Sequence, residues 1–222
     1  MYPKEIITYL NENKTRFELF IVFGGDGTLH EVVNGIMPLK GKRILYVPCG
    51  TVNDFGNYLK LSKKYKEAFK LLNTEPFLID VGKLNGSFFI YTFAIGQFTN
   101  ISYGKYNHKI KRVFGKFYYY LNGFKEFFKF QNINILGGDK LFIVLVLNAF
   151  RIASFRIRKP NKLNDGMVNV IYFKNSFFNF CNLVMFLFFG ILVDGVSYKK
   201  CSTLSFNTEK IHPNYTDVFF QY

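Results

Sequence analysis

A chain of 222 residues, 49% of them hydrophobic, is long enough to bury a sizeable core and too apolar for a disordered tail. Lys and Arg outnumber Asp and Glu by 29 to 15, and the net charge of +14 favours an anionic partner: a nucleotide, an anionic lipid surface or nucleic acid. Cys49, Cys181 and Cys201 are too far apart for a disulfide framework or a C-x-x-C site, and His30, His108 and His212 lack metal-ligand spacing. A secreted disulfide scaffold and a zinc site are thereby excluded, and a reducing, cytoplasmic setting is expected.

In chain order, Glu18 to Phe23 (ELFIVF) reads as a strand buried on both faces, stopped by Gly24-Gly25-Asp26-Gly27. A helix opens at Thr28, with Leu29, Val32, Val33 and Ile36 on one face. Strand, glycine loop and helix together form a phosphate-binding unit. The arrangement repeats: a strand over Arg43 to Val47, a turn over Pro48 to Thr51, and a short helix over Val52 to Leu59. A further helix is predicted over Lys63 to Leu72, burying Tyr65, Ala68, Phe69 and Leu72. Alternating strands and helices predict a parallel sheet.

After Pro76 the pattern changes. FLIDVGKL, Asn85-Gly86 and SFFIYTFAIG predict a hairpin, and further strands fit Ile133 to Leu136, Leu141 to Leu147, Met167 to Phe173 and Ser202 to Asn207. A second, β-rich domain is expected from about residue 77. Between these strands, Lys111 to Phe130 carries Phe114, Phe117, Leu121, Phe124 and Phe128 at helical spacing, with Lys116, Lys125 and Lys129 opposite. Packing on the sheet and contact with lipid both suit it. Phe177 to Val193 contains Asn179 and Asn182 and falls short of the roughly 18–20 apolar residues a span requires. It is expected to be a buried or membrane-facing helix. No secretory signal follows Met1.

The chemistry concentrates at Gly24-Gly25-Asp26-Gly27-Thr28. Glycines let backbone N–H groups approach phosphate oxygens, and the helix start adds its positive dipole end. A carboxylate facing a triphosphate is repulsive unless a cation lies between them, so Asp26 predicts Mg²⁺ bound partly through water. The competing structural reading is a glycine turn with an Asp helix cap.

The five residues alone are shared by NAD kinases. The next motif, Pro48-Cys49-Gly50-Thr51-Val52-Asn53-Asp54-Phe55, resembles the P-x-G-T-x-N-D-F signature that follows GGDGT in the diacylglycerol and sphingosine kinases. Taken further, the resemblance is to soluble bacterial diacylglycerol kinases, and it continues through Asp80-Val81-Gly82, the stretch around Gly96 and Leu163-Asn164-Asp165-Gly166. It implies a Rossmann-like parallel α/β nucleotide domain over residues 1–76, of NAD kinase/phosphofructokinase type, and an antiparallel β-sandwich over 77–222, with the active site between them. It also implies transfer of the ATP γ-phosphate to a lipid hydroxyl, converting diacylglycerol to phosphatidic acid at a peripheral anionic membrane surface. Nucleic acid is not an implied partner, and a homodimer is compatible.

Carried onto matching positions, Gly25, Asp26, Gly27, Thr28, Leu29, His30, Glu31 and Thr51 would line the ATP site. Asp26 and Asp80 would share a water-linked Mg²⁺ network. The Asp165 side chain with the Lys162 and Met167 carbonyls would hold a separate structural Mg²⁺, although Asn164-Asp165-Gly166 by itself reads as an ordinary turn. Two family segments have no match: the first strand with its N-P-x-S-G loop, and the V-D-G-E segment carrying the general-base Glu. Val193-Asp194-Gly195-Val196 has Val at the Glu place. The chain is therefore expected to be truncated at both ends and a poor kinase as it stands. The alternatives are an NAD kinase-like enzyme, against which Gly50 to Asp54 argue, and a non-catalytic remnant that binds nucleotide or membrane.

Overall fold

A computed structural model describes residues 5–84, 86–96, 133–134, 140–149, 151–152, 155–156, 162–174, 176, 178, 181–182, 197–202, 204–205 and 217–221. Strand β1 (Leu19–Gly24) pairs in parallel with β2 (Arg43–Pro48), from Leu19↔Arg43 to Gly24↔Pro48. The expected parallel sheet is present. Helices α1 (Glu5–Asn13) and α2 (Asp26–Ile36) supply Leu10, Leu29, Val32, Val33 and Ile36 to a core that also takes Phe20 and Val22 of β1.

The buried-strand expectation is corrected on one face. Ile21 and Phe23 are 44% and 51% exposed, because β1 turns only its alternate residues Phe20 and Val22 toward the helices. Helix α2 starts at Asp26, two residues ahead of the expected Thr28, since Gly25 takes the extended cap position. Helix α3 (Asp54–Tyr58) is shorter than expected because Asn53 is left-handed, at φ 54° and ψ 48°, and cannot belong to it. Helix α4 (Tyr65–Lys70) passes into a 3₁₀ turn over Leu71–Asn73. Of the four positions expected to bury its face only Ala68 does so; Tyr65, Phe69 and Leu72 are exposed. A helix of under two turns brings few side chains onto one line, and Phe69 meets β1 only edge-on, through Phe23.

The hairpin forms as β3 (Val81–Leu84) and β4 (Ser87–Phe89) around Gly86, whose φ is +82°. Its second run does not continue as one strand. Strand β5 (Thr92–Gly96) leaves for another sheet, because the Ile90 and Tyr91 carbonyls are claimed by residues 148 and 149: Asn148 Nδ2 donates to Ile90 O at 3.0 Å, and the Asn148 and Ala149 amides donate to Tyr91 O at 2.9 and 3.2 Å.

The remaining described strands are β6 (Ile133–Asn134), β7 (Lys140–Leu147), β8 (Arg151–Ile152), β9 (Phe155–Arg156), β10 (Val168–Lys174), β11 (Ser197–Cys201), β12 (Leu204–Ser205) and β13 (Asp217–Gln221). Among the described residues one antiparallel sheet runs β11-β10-β7-β5 with β6 added on β7, a second runs β12-β13-β3-β4, and β8 pairs β9. Leu84 and Phe89 of the second sheet pack against Leu141, Val144, Val146, Val168 and Val170 of the first. Gly82 makes this possible, since a Cβ there would lie 2.3 Å from the Phe89 ring that covers it. The neighbouring Phe88 points the other way, into the core of α1, α2 and β1. The amphipathic reading of residues 111–130 lies outside the described residues, as does nearly all of 177–193. No helix among the described residues is long and apolar enough to cross a membrane.

Candidate functional site

The two glycine-containing loops meet at the ends of β1 and β2. The Cys49 amide donates to Gly24 O at 2.9 Å, and Gly50 stands so near Gly25 that a Cβ on Gly50 would lie 2.5 Å from the Gly25 Cα. The fully buried Asn53 winds its loop tight: its Oδ1 accepts the Gly50 amide at 2.8 Å and its Nδ2 donates to Gly50 O at 2.6 Å. Asn tolerates the left-handed backbone this turn requires.

With its side chain committed to Gly50, Asn53 does not cap α3. Asp26 does so from the other loop. Its Oδ2 accepts the Asp54 amide at 2.8 Å and its Oδ1 accepts the Phe55 amide at 3.1 Å. A negative charge at a helix start is favourable on both hydrogen-bond and dipole grounds. The structural reading of Asp26 as a cap is thus correct in kind, but the helix is α3 rather than its own. Beneath this contact lies Tyr46, 5% exposed, whose hydroxyl is buried without a hydrogen-bond partner. Burial, then the charges of Asp26 and Cys49, push its ionisation far above the ordinary tyrosine value.

Around these residues, Gly27 and Thr51 are exposed, and a Cβ on Gly27 would meet nothing within 4 Å. Thr28 folds its side chain over Gly24. A helix start leaves amides pointing outward along its axis, and at α2 those of Gly27 and Thr28 suit an anion, whereas the Leu29 amide already donates to Gly25 O at 3.1 Å. Leu29 is 2% exposed and part of the core, and with its amide bonded to Gly25 O it offers a ligand neither side chain nor free N–H. Glu31 is half-buried. His30 lies on the outer side of α2 with its Nε2 3.4 Å from Asn34 Nδ2; desolvation lowers its pKa from the ordinary 6.5, opposed by Glu31.

Asp80 belongs to a second cluster. Its Oδ2 accepts the Gly166 amide at 2.7 Å, its own amide donates to Leu163 O at 2.6 Å, and its carbonyl accepts Asn148 Nδ2 at 2.8 Å. Asp165 Oδ1 accepts the Met167 amide at 3.1 Å, and Asp165 Oδ2 pairs with Lys200 Nζ at 2.6 Å. Lys162 is exposed and Met167 half-buried. Among the described residues no three His, Cys, Asp or Glu side chains converge as metal ligands.

Sequence reasoning missed Asn34, Tyr46, Asn148 and Lys200, and it met Asn53 only as part of the second motif, without its loop-winding role. Asn34 Nδ2 donates to Phe88 O and Asn34 Oδ1 accepts the Phe88 amide, both at 2.8 Å, tying α2 to β4. No local signal marks such a contact across 54 residues, because Asn34 lies on the His30 side of α2, off the buried stripe of Leu29, Val32, Val33 and Ile36.

Residues 2–84 match the family model "Diacylglycerol kinase catalytic domain". A diacylglycerol kinase of Staphylococcus epidermidis is 33% identical over 168 residues, covering 71% of this chain and 53% of that protein. A Staphylococcus aureus diacylglycerol kinase is 32% identical over 170 residues, covering 72% and 54%. The chain thus spans about half the length of the curated relatives it matches. A solved Bacillus anthracis str. Sterne structure described as a diacylglycerol kinase shares the fold, with TM-score 0.72, 24% identity and coverage of 99% and 80%. The match to the diacylglycerol kinase catalytic domain is therefore carried by residues 2–84, which hold both glycine loops and the Asp26 contact between them.

Proposed function

We propose that this chain serves an ATP-dependent lipid kinase that moves the γ-phosphate onto a lipid hydroxyl, with diacylglycerol as acceptor and phosphatidic acid as product. The observation that carries this reading is the joining of the two loops by Asp26, which fixes the exposed Gly27 and Thr51 beside the start of α2. Phosphoryl transfer asks chiefly for positioning and charge neutralisation, and two interlocked backbone loops supply the first. Gly25 to Glu31 and Thr51 would receive the nucleotide, with Leu29 serving only to anchor the helix, since its side chain is buried and its amide bonds Gly25 O.

Asp26 and Asp80 would hold Mg²⁺, which supplies neutralisation of the phosphate charge. The residues fit a metal met through water rather than directly, since both Asp26 oxygens and one Asp80 oxygen already accept amides. The finer architecture, a Rossmann-like unit over 1–76 and a β-sandwich over 77–222, belongs to the same reading, as does a cytoplasmic enzyme at an anionic membrane surface, to which the charge of +14 is suited.

The test offers Mg·ATP with diacylglycerol in mixed micelles, and separately with NAD. Labelled phosphatidic acid is the expected product. Phosphorylation of NAD and not lipid would replace this reading with the NAD kinase one, and nucleotide binding without turnover of either would leave the non-catalytic remnant.

A further inference from the structure

We propose that the cation of the 163–166 turn is the Lys200 ammonium, standing where the family resemblance implies a divalent metal ion. This inference does not depend on the kinase reading. Asp165 has both oxygens engaged: Oδ1 by the Met167 amide at 3.1 Å and Oδ2 by Lys200 Nζ at 2.6 Å. That pair is short for a charge-assisted bond, and with 19% of the Asp165 side chain and 40% of the Lys200 side chain exposed, the carboxylate is the more shielded partner.

The donors left for a metal are neutral, namely the Lys162 and Met167 carbonyls and water, with Asp165 the one charged ligand the resemblance implies. Mg²⁺ asks for about six oxygens in near-octahedral geometry at about 2.0–2.1 Å, and carboxylates supply the charge that holds it. Asp80, the other carboxylate tied to this turn, accepts the Gly166 amide at 2.7 Å. Recruiting that oxygen to a metal would compete with the Gly166 bond, and the second Asp80 oxygen is the one that would meet the water-linked Mg²⁺ of the nucleotide. A divalent ion on Asp165 would also stand against the ammonium already bonded there, and two cations on one carboxylate repel.

Topology explains why a lysine can take this place. Lys200 lies opposite Asn169 in the β10–β11 ladder, with Cys201 opposite Val168. From that position its side chain reaches past the start of β10 to Asp165, closing a connection across 35 residues. A structural ion would do the same work: neutralise Asp165 and pin the turn to the sheet. The consequence reaches Asp80, because the Gly166 amide that orients it belongs to this turn. Asp80 is therefore positioned without a metal.

The experiment measures unfolding temperature by calorimetry, in excess EDTA and in millimolar Mg²⁺, for the parent chain, K200M, K200Q, K200R and D165N. The difference between the two conditions is read relative to D165N, so that a cation bound elsewhere cancels. The parent is expected to show no Mg²⁺ response beyond that of D165N. K200M and K200Q should unfold about 2–4 °C lower in EDTA, the shift expected of roughly 1 kcal/mol in a chain of this size, and should regain part of it in Mg²⁺ as the freed carboxylate accepts the ion. K200R should behave as the parent. A parent stabilised by Mg²⁺ where D165N is not would overturn the proposal, and so would K200M and K200Q that unfold at the parental temperature in EDTA.

Discussion

Gly50 and Gly25 touch backbone to backbone, with room for no side chain: a Cβ on Gly50 would lie 2.5 Å from the Gly25 Cα and 2.8 Å from Asn53 Oδ1. G50A should therefore force the two loops apart and cost about 1–3 kcal/mol, as overpacking does. Gly27, with nothing within 4 Å of its hypothetical Cβ, gives the contrasting case. G27V should fold with near-parental stability and lose Mg·ATP affinity, because its side chain stands where phosphate would approach. Urea denaturation and calorimetric titration separate the two effects. Parental nucleotide affinity in folded G27V would remove Gly27 from the proposed site.

Asp26 carries a structural load besides any part in nucleotide binding. D26A removes the acceptor for both first-turn amides of α3 and should cost about 1–3 kcal/mol, between the loss of an ordinary cap and that of a charge-assisted hydrogen bond. D26N, keeping one acceptor, should cost less. Hydrogen exchange at the Asp54 and Phe55 amides should quicken in D26A more than at α2 amides. Unchanged exchange there would mean that the carboxylate does not cap α3.

Tyr46 gives the pH dependence a sign. Its raised ionisation means that the folded protein keeps the phenolic proton where an unfolded chain, near the ordinary 10.0, would lose it. Its contribution is intact below that pH and declines as pH rises beyond it. Y46F should abolish that share of the alkaline decline. At neutral pH it should match the parent or exceed it in stability, since it removes a buried hydroxyl without a partner. Denaturation midpoints at neutral and alkaline pH check both, and marked destabilisation of Y46F at neutral pH would reveal a bond the hydroxyl does make.

Asn34 holds β4 as a neighbouring strand would, accepting from and donating to Phe88. N34A should cost about 1–3 kcal/mol by leaving both Phe88 backbone groups part-buried and unpaired. N34D, which accepts but cannot donate, should fall between. The urea midpoint and the exchange rate of the Phe88 amide report the loss, and a parental Phe88 rate in N34A would show that water replaces the clamp at no cost.

Local chemistry made the strand-loop-helix units legible: Glu18 to Ile36 and Arg43 to Tyr58 carry apolar runs, glycine turns and helical spacing that act over a few residues. The Asn85-Gly86 hairpin was legible for the same reason. What sequence could not supply was partnership at a distance. The division of the 87–96 run depends on Asn148 and Ala149, which bond Ile90 and Tyr91 from far along the chain. Spacing at Tyr65, Phe69 and Leu72 promised burial that a six-residue helix does not deliver. At the site, glycines pointed to close approach, but the motifs alone did not reveal that Gly25 approaches Gly50, or that Asp26 serves the helix of the second motif. Lys200 was indistinguishable from the other lysines until β11 placed it beside the Asp165 turn.

Strand β4 is three residues long, yet two adjacent residues within it serve separate interiors, Phe88 that of α1, α2 and β1, and Phe89 that between the antiparallel sheets. Pulling β4 away from either side exposes a phenylalanine and loosens the strand's hold on the other. Heat or denaturant thus has no low-cost way to melt one interior while sparing the other. The described parts of the molecule should come apart in a single cooperative transition, with β4 as the rivet whose failure releases both plates.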